Sequence, residues 1–120
     1  MLEERKIAVV GSRRRLDKEK VYALIESLNK TDTVISGGCE GVDTWAIEKA
    51  QELGLNYQVI TPSLRGLTDY FEICEAYYRR NKFIADNCDI MYAFVAKDRK
   101  GGTENSIKWA KQLKKKVIIK

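Results

Sequence analysis

Five short apolar runs alternate with four segments of helical periodicity, and this alternation constrains the fold of the chain more than any other feature. The runs are residues 6–10, 33–35, 57–61, 89–95 and 117–119; the first stops at Gly11 and the third at Pro62, the one proline in the sequence. Between them, Val21, Leu24, Ile25 and Leu28 form one inward stripe behind a capping Asp17, and Val42, Ala46, Ala50 and Leu53 form a second that Gly54 ends. Residues 69–87 lack Gly and Pro and carry Phe71, Cys74, Tyr78, Ile84 and Ala85 at mostly helical intervals, while Ile107, Ala110 and Leu113 give the last stripe. Strands separated by helices pair in parallel through right-handed crossovers, so both sheet faces are covered. The expected fold is α/β: a single Rossmann-like doubly wound domain over residues 1–120, with a five-stranded parallel sheet flanked by helices.

A chain of 120 residues, 44% hydrophobic, holds one core. Its longest apolar runs fall far short of the roughly 20 residues that span a bilayer. Residues 1–6 lack a basic segment followed by an apolar stretch and a small-residue cleavage site, so a cytoplasmic location and no membrane partner are expected. Cys39, Cys74 and Cys88 are odd in number and form no C-x-x-C pair, which argues for reduced thiols. The chain has no histidine, which excludes a histidine general base and leaves a poor ligand set for zinc. No metal or resident cofactor is expected. A net charge of +5 favours an anionic partner, although much of the excess lies among residues 111–120.

In a doubly wound sheet, ligands bind beyond the carboxyl ends of the strands, where the strand order reverses. Three polar loops end there. Ser36-Gly37-Gly38-Cys39-Glu40-Gly41 joins a strand to a helix, and its bare backbone could bring amides against phosphate oxygens or simply make a tight turn. It matches neither the P-loop nor the usual dinucleotide fingerprint. Gly101-Gly102-Thr103 opens the last helix, where Thr103 can cap, touch a ligand, or do both. Asp43 can cap its helix or accept from a sugar hydroxyl. Ser12 and Arg13 follow strand one, and Arg13 can pair with phosphate. Glu40 and Glu104 stand beside the glycine loops as candidate ribose acceptors or acid–base groups, Arg80 can face the crevice, and Cys39 is a bystander. Trp45 and Trp109 are read as helix packing residues.

The order of these motifs carries a resemblance. Gly11-Ser12-Arg13, then Ser36-Gly37-Gly38 with Gly41-Val42-Asp43 and Ala46, then Arg80-Asn81, Asp89 and Gly101-Gly102-Thr103, together resemble the SLOG superfamily along nearly the whole chain. That group joins the DNA-processing protein A (Smf) family, the LOG phosphoribohydrolases and small YspA-like or YpsA-like domains. The middle motif and the Arg80-Asn81 pair look most like the DNA-processing and YspA-like branches, which implies Arg80 and Asn81 as ligand contacts. LOG enzymes carry P-G-G-x-G-T-x-x-E; this chain has Lys100-Gly101-Gly102-Thr103-Glu104 and places Ser106 where that glutamate would stand.

The leading expectation is a small binding or sensor domain for a nucleotide or nucleotide-like phosphate compound, held by Gly11, Ser12, Arg13, Ser36, Gly37, Gly38, Gly41, Asp43, Arg80, Asn81, Gly101, Gly102 and Thr103. The enzyme alternative is a LOG-like phosphoribohydrolase that cleaves nucleoside 5′-monophosphates, with Arg80 and Glu104 as catalytic residues. A third expectation is single-stranded DNA binding through residues 13–15, Arg79, Arg80 and the lysine-rich end. By resemblance to the LOG branch, the chain is expected to be a homodimer.

Overall fold

The structure, a computed structural model, describes residues 4–120; residues 1–3, where the segment inspected for a leader begins, lie outside the described residues. The chain runs β1 (Lys6–Gly11), α1 (Lys18–Glu26), β2 (Thr33–Ser36), α2 (Val42–Glu52), β3 (Asn56–Val59), α3 (Tyr70–Asn87), β4 (Ile90–Phe94), α4 (Gly102–Gln112) and β5 (Lys116–Ile119). All neighbouring strands pair in parallel in the order β3-β2-β1-β4-β5. This is the expected Rossmann-like sheet with helices on both faces.

Alternation along β1 sends Ile7 and Val9 to one face and Ala8 and Val10 to the other, and all four are buried. Ile7 and Val9 join Val21, Ile25, Val42, Ala46 and Phe94 under α1 and α2; Ala8 and Val10 join Ile84, Ala85, Met91, Ile107 and Ala110 under α3 and α4. A strand buried on both faces has to be apolar throughout, which is why β1 reads as an unbroken run. Trp45 packs on the first cluster and Trp109 on the second.

Four expectations need correction. The third strand is Asn56–Val59 rather than 57–61, and it is exposed along its length because it forms an edge of the sheet. The stripe expected for α3 holds at Ile84 and Ala85 but not in the first half of the helix. Phe71 and Tyr78 are 75% and 49% exposed, and the buried residues are Ala76, Arg80, Asn81, Ile84 and Ala85. An 18-residue helix is about 27 Å long, whereas a five-residue strand spans about 17 Å, so the first turns of α3 overshoot the sheet. Finally, Asp17 takes the N-cap position of α1 without a side-chain cap, because Arg15 holds its carboxylate. Leu53 similarly leaves the α2 stripe, becoming the partly exposed C-cap, and Gly54 follows at φ +70°. Among the described residues no helix is long and apolar enough to cross a membrane.

Candidate functional site

The strand order reverses between β1 and β4, and at the carboxyl ends of those strands lies a cavity of about 420 Å³. The loop after β1 forms its middle. The first glycine loop and Arg80 of α3 bound it on the β2 side, and the second glycine loop bounds it on the β4 side.

The first loop is closed by its own chain. Asp43, in the first turn of α2, does not cap that helix; it turns back so that Oδ2 accepts from Gly37 N at 3.2 Å and Cys39 N at 3.3 Å. The carboxylate thus occupies amides that the sequence offered to phosphate. Burial lifts the Asp43 carboxyl from the ordinary carboxylate range to about 6, against the lowering pull of the loop amides and Arg80. Arg80, only 7% exposed, braces the loop from the other side. Its Nη1 donates to Gly37 O at 2.6 Å and to Ile60 O at 3.3 Å, and its Nε to Asn81 Oδ1 at 3.0 Å. Only Nη2 lacks an oxygen partner, with Cys39 Sγ at 3.5 Å. Position 37 favours glycine for this reason: a Cβ there would stand 2.5 Å from Arg80 Nη1 and 3.0 Å from Asp43 Oδ2, and the guanidinium would have to shift. Ser36 is fully buried and donates from Oγ to Val9 O at 2.7 Å, tying β2 to β1.

The second loop is open. Gly101 takes the N-cap position of α4 with φ +113° and no side-chain cap, and a Cβ at Gly101 or Gly102 would meet nothing within 4 Å. Thr103 and Ser106 are 8% and 3% exposed, yet line the cavity, and their hydroxyls make no hydrogen bond among the described residues. Around them, Arg14 reaches from the first strand's loop to Asp98, with Nη1 and Nη2 donating at 2.9 and 2.7 Å, and to Lys100 O. That pair fastens two of the three loops together. Arg13 and Lys100 also line the cavity and make no ion pair among the described residues. Glu104 turns away, accepting from Arg99 Nε and Nη2 at 2.8 and 3.0 Å, and does not line the cavity.

The structure therefore brings Gly11, Ser12, Arg13, Asp43, Arg80, Asn81, Gly101, Gly102 and Thr103 to one cavity, together with Cys39. Ser36, Gly37, Gly38 and Gly41 stand behind the wall as its framework, and Glu104 is not brought together with Arg80. Sequence reasoning missed Tyr77, Lys100 and Ser106. Helical spacing could have found two of them, because Tyr77 precedes Arg80 by three residues and Ser106 follows Thr103 by three.

Sheet order, crossovers and the position of the cavity define a Rossmann-like, doubly wound domain. More particularly, the model of the DNA recombination-mediator protein A family matches residues 1–68, over half the sequence, and the chain belongs to that family. No curated protein matches it. Among solved structures, DNA processing protein A (DprA) from Streptococcus pneumoniae superposes with a TM-score of 0.79 at 19% identity, over 96% of this chain and 50% of that one. TM1055 gives 0.64 at 20% identity, over 94% and 72%. The C-terminal domain of PF1911 hydrogenase from Pyrococcus furiosus gives 0.55 at 12% identity, over 95% and 89%. At these identities the likeness is one of fold. The chain spans about half the length of the DprA protein it matches.

Proposed function

We propose that residues 1–120 act as one nucleotide-binding domain, which takes a nucleotide or nucleotide-derived phosphate compound in the cavity with its phosphate at the second glycine loop. The observation that carries this reading is the asymmetry between the loops. The first has its Gly37 and Cys39 amides engaged by Asp43, whereas the second presents two unpartnered hydroxyls and the side chain of Lys100, with Arg13 in the adjoining loop. Asn81 and Tyr77 would face the sugar and base, and Arg80 holds the site in shape. The test is thermal unfolding with nucleoside mono-, di- and triphosphates. A rise in midpoint that Thr103→Val diminishes supports the reading; no shift at millimolar ligand overturns it.

Single-stranded DNA binding is the second reading, favoured by the family to which the chain belongs. Its arginines are largely committed: Arg14 to Asp98, Arg15 to Asp17, Arg79 to Glu75, and Arg80 to carbonyls within the fold. Affinity for an oligonucleotide that falls steeply with salt would favour it over the nucleotide. Hydrolysis to free base and ribose 5-phosphate requires Glu104 to leave Arg99. Chromatography of nucleoside 5′-monophosphates incubated with the wild type and with Glu104→Gln decides that point.

A homodimer belongs to the same proposal. Along its length α3 exposes Tyr70, Phe71, Tyr78 and Phe83. A second copy packed along α3 would cover these aromatic side chains. Sedimentation at about ten micromolar checks this; a monomer that Phe71→Glu leaves unchanged counts against it.

A further inference from the structure

The cavity contains one carboxylate among the described residues that line it, and the backbone amides bonded to it all reach the same oxygen. Asp43 is 5% exposed and spends Oδ2 on two loop amides, while Oδ1 accepts from no backbone amide. The Ser36 hydroxyl is close enough to lower the Asp43 pKa, but its single proton goes to Val9 O at 2.7 Å. The nearest cation, Arg80, has Nη1 and Nε engaged by Gly37, Ile60 and Asn81, and its Nη2 meets Cys39 Sγ at 3.5 Å. A buried anion facing a binding cavity repels phosphate and requires a donor opposite it. The cavity is therefore polarised, with Asp43 on the β2 side, Lys100 and the open start of α4 on the β4 side, and Arg13 in the loop between them. A ligand that satisfies both ends carries a hydroxyl donor at one end and an anion at the other, with an apolar part for Val10, Tyr77 and Ile84 between them.

We infer that Asp43 selects ligands with a ribose hydroxyl, so that the site takes ribonucleotides in preference to 2′-deoxyribonucleotides. The inference rests on the nucleotide reading above and sharpens it. A sugar hydroxyl donating to a charged acceptor makes a hydrogen bond of the stronger kind, and a deoxy sugar leaves the buried carboxylate facing the cavity without a donor. The discrimination expected from one such contact is about tenfold or more in dissociation constant. The second glycine loop, which meets phosphate, contributes equally to both sugars. The same contact disfavours a DNA strand in this cavity.

The experiment measures dissociation constants of the four ribonucleoside 5′-monophosphates and their 2′-deoxy counterparts by calorimetry, for the wild type, Asp43→Asn, Asp43→Ala and Thr103→Val. The wild type is expected to favour the ribo form about tenfold. Asp43→Asn keeps an acceptor for Gly37 N and Cys39 N, so it preserves the loop, and both Asp43 variants are expected to bring the ratio to within about threefold. Thr103→Val is expected to weaken both sugars and keep the ratio. Equal affinities in the wild type, or Asp43 variants that lose affinity for both sugars at an unchanged ratio, overturn the inference and leave the nucleotide reading standing. If neither sugar form binds the wild type at millimolar concentration, both readings fall together.

Discussion

The two glycine loops of this molecule share a sequence character and a place in the fold, and they differ in what fills them. Each follows a strand, opens a helix without a side-chain cap, and reaches the same edge of the sheet. In the first, glycine serves packing: Gly37 makes room for the Arg80 guanidinium, Gly41 sits at φ +88°, and the Asp43 carboxylate stands where an external anion would. In the second, a Cβ at Gly101 or Gly102 would meet nothing, and two hydroxyls face the cavity unpartnered. The comparison teaches that a glycine-rich turn before a helix identifies an anion-binding geometry but not its occupant. An internal carboxylate can satisfy the same amides as a ligand.

Breaking the first loop should have the largest effect. Arg80→Ala strands the Gly37 and Ile60 carbonyls and removes the cation near Asp43, so denaturant unfolding is expected to show a loss of about 4 kcal/mol. A loss below about 1 kcal/mol would mean that the guanidinium braces nothing. The next effect is on pH dependence. With the folded Asp43 carboxyl at about 6 and an ordinary value in the unfolded chain, the folded state holds the proton more tightly. Its contribution is therefore fully present below about pH 4 and is lost as pH rises through about 6. The stability difference between wild type and Asp43→Asn is expected to fall across that window by up to about 3 kcal/mol. Taking the difference matters, because Asp17 and Asp98, held low by Arg15 and Arg14, gain stability as pH rises. A flat difference would place Asp43 in an ordinary carboxylate setting.

Gly37→Ala is expected to cost about 2 kcal/mol through the collision with Arg80. The matching change in the second loop, Gly102→Ala, enters open space at the start of a helix and is expected to shift stability by less than about 0.5 kcal/mol. Equal costs at the two positions would erase the distinction between the loops. Thr103→Val should be the mildest of all for unfolding, because its hydroxyl bonds nothing in the fold, while it weakens ligand binding roughly tenfold. Unchanged binding would move the phosphate away from α4.

The sheet was legible because buried parallel strands have to be apolar on both sides and the helical stripes between them show a period near 3.6. α3 was not legible in the same way. Phe71 and Tyr78 repeat at helical intervals but lie beyond the sheet that would bury them, and Arg80 and Asn81 take the inward positions because loop carbonyls await the guanidinium. Asp43 read more readily as a helix cap than as a hydroxyl acceptor, and instead its carboxylate turns back onto the Gly37 and Cys39 amides.

The sequence by itself determined the order of elements, the parallel doubly wound sheet and the edge at which a site must form, because periodicity and crossover handedness act through neighbours in the chain. Tertiary structure alone decided which glycine loop is open, that Glu104 belongs to Arg99 rather than to the cavity, and that Arg80 braces the first loop from 43 residues away in the chain. Those outcomes depend on which donor reaches which acceptor across the folded chain, and hydrogen-bond reach of about 3 Å is set by packing rather than by sequence separation.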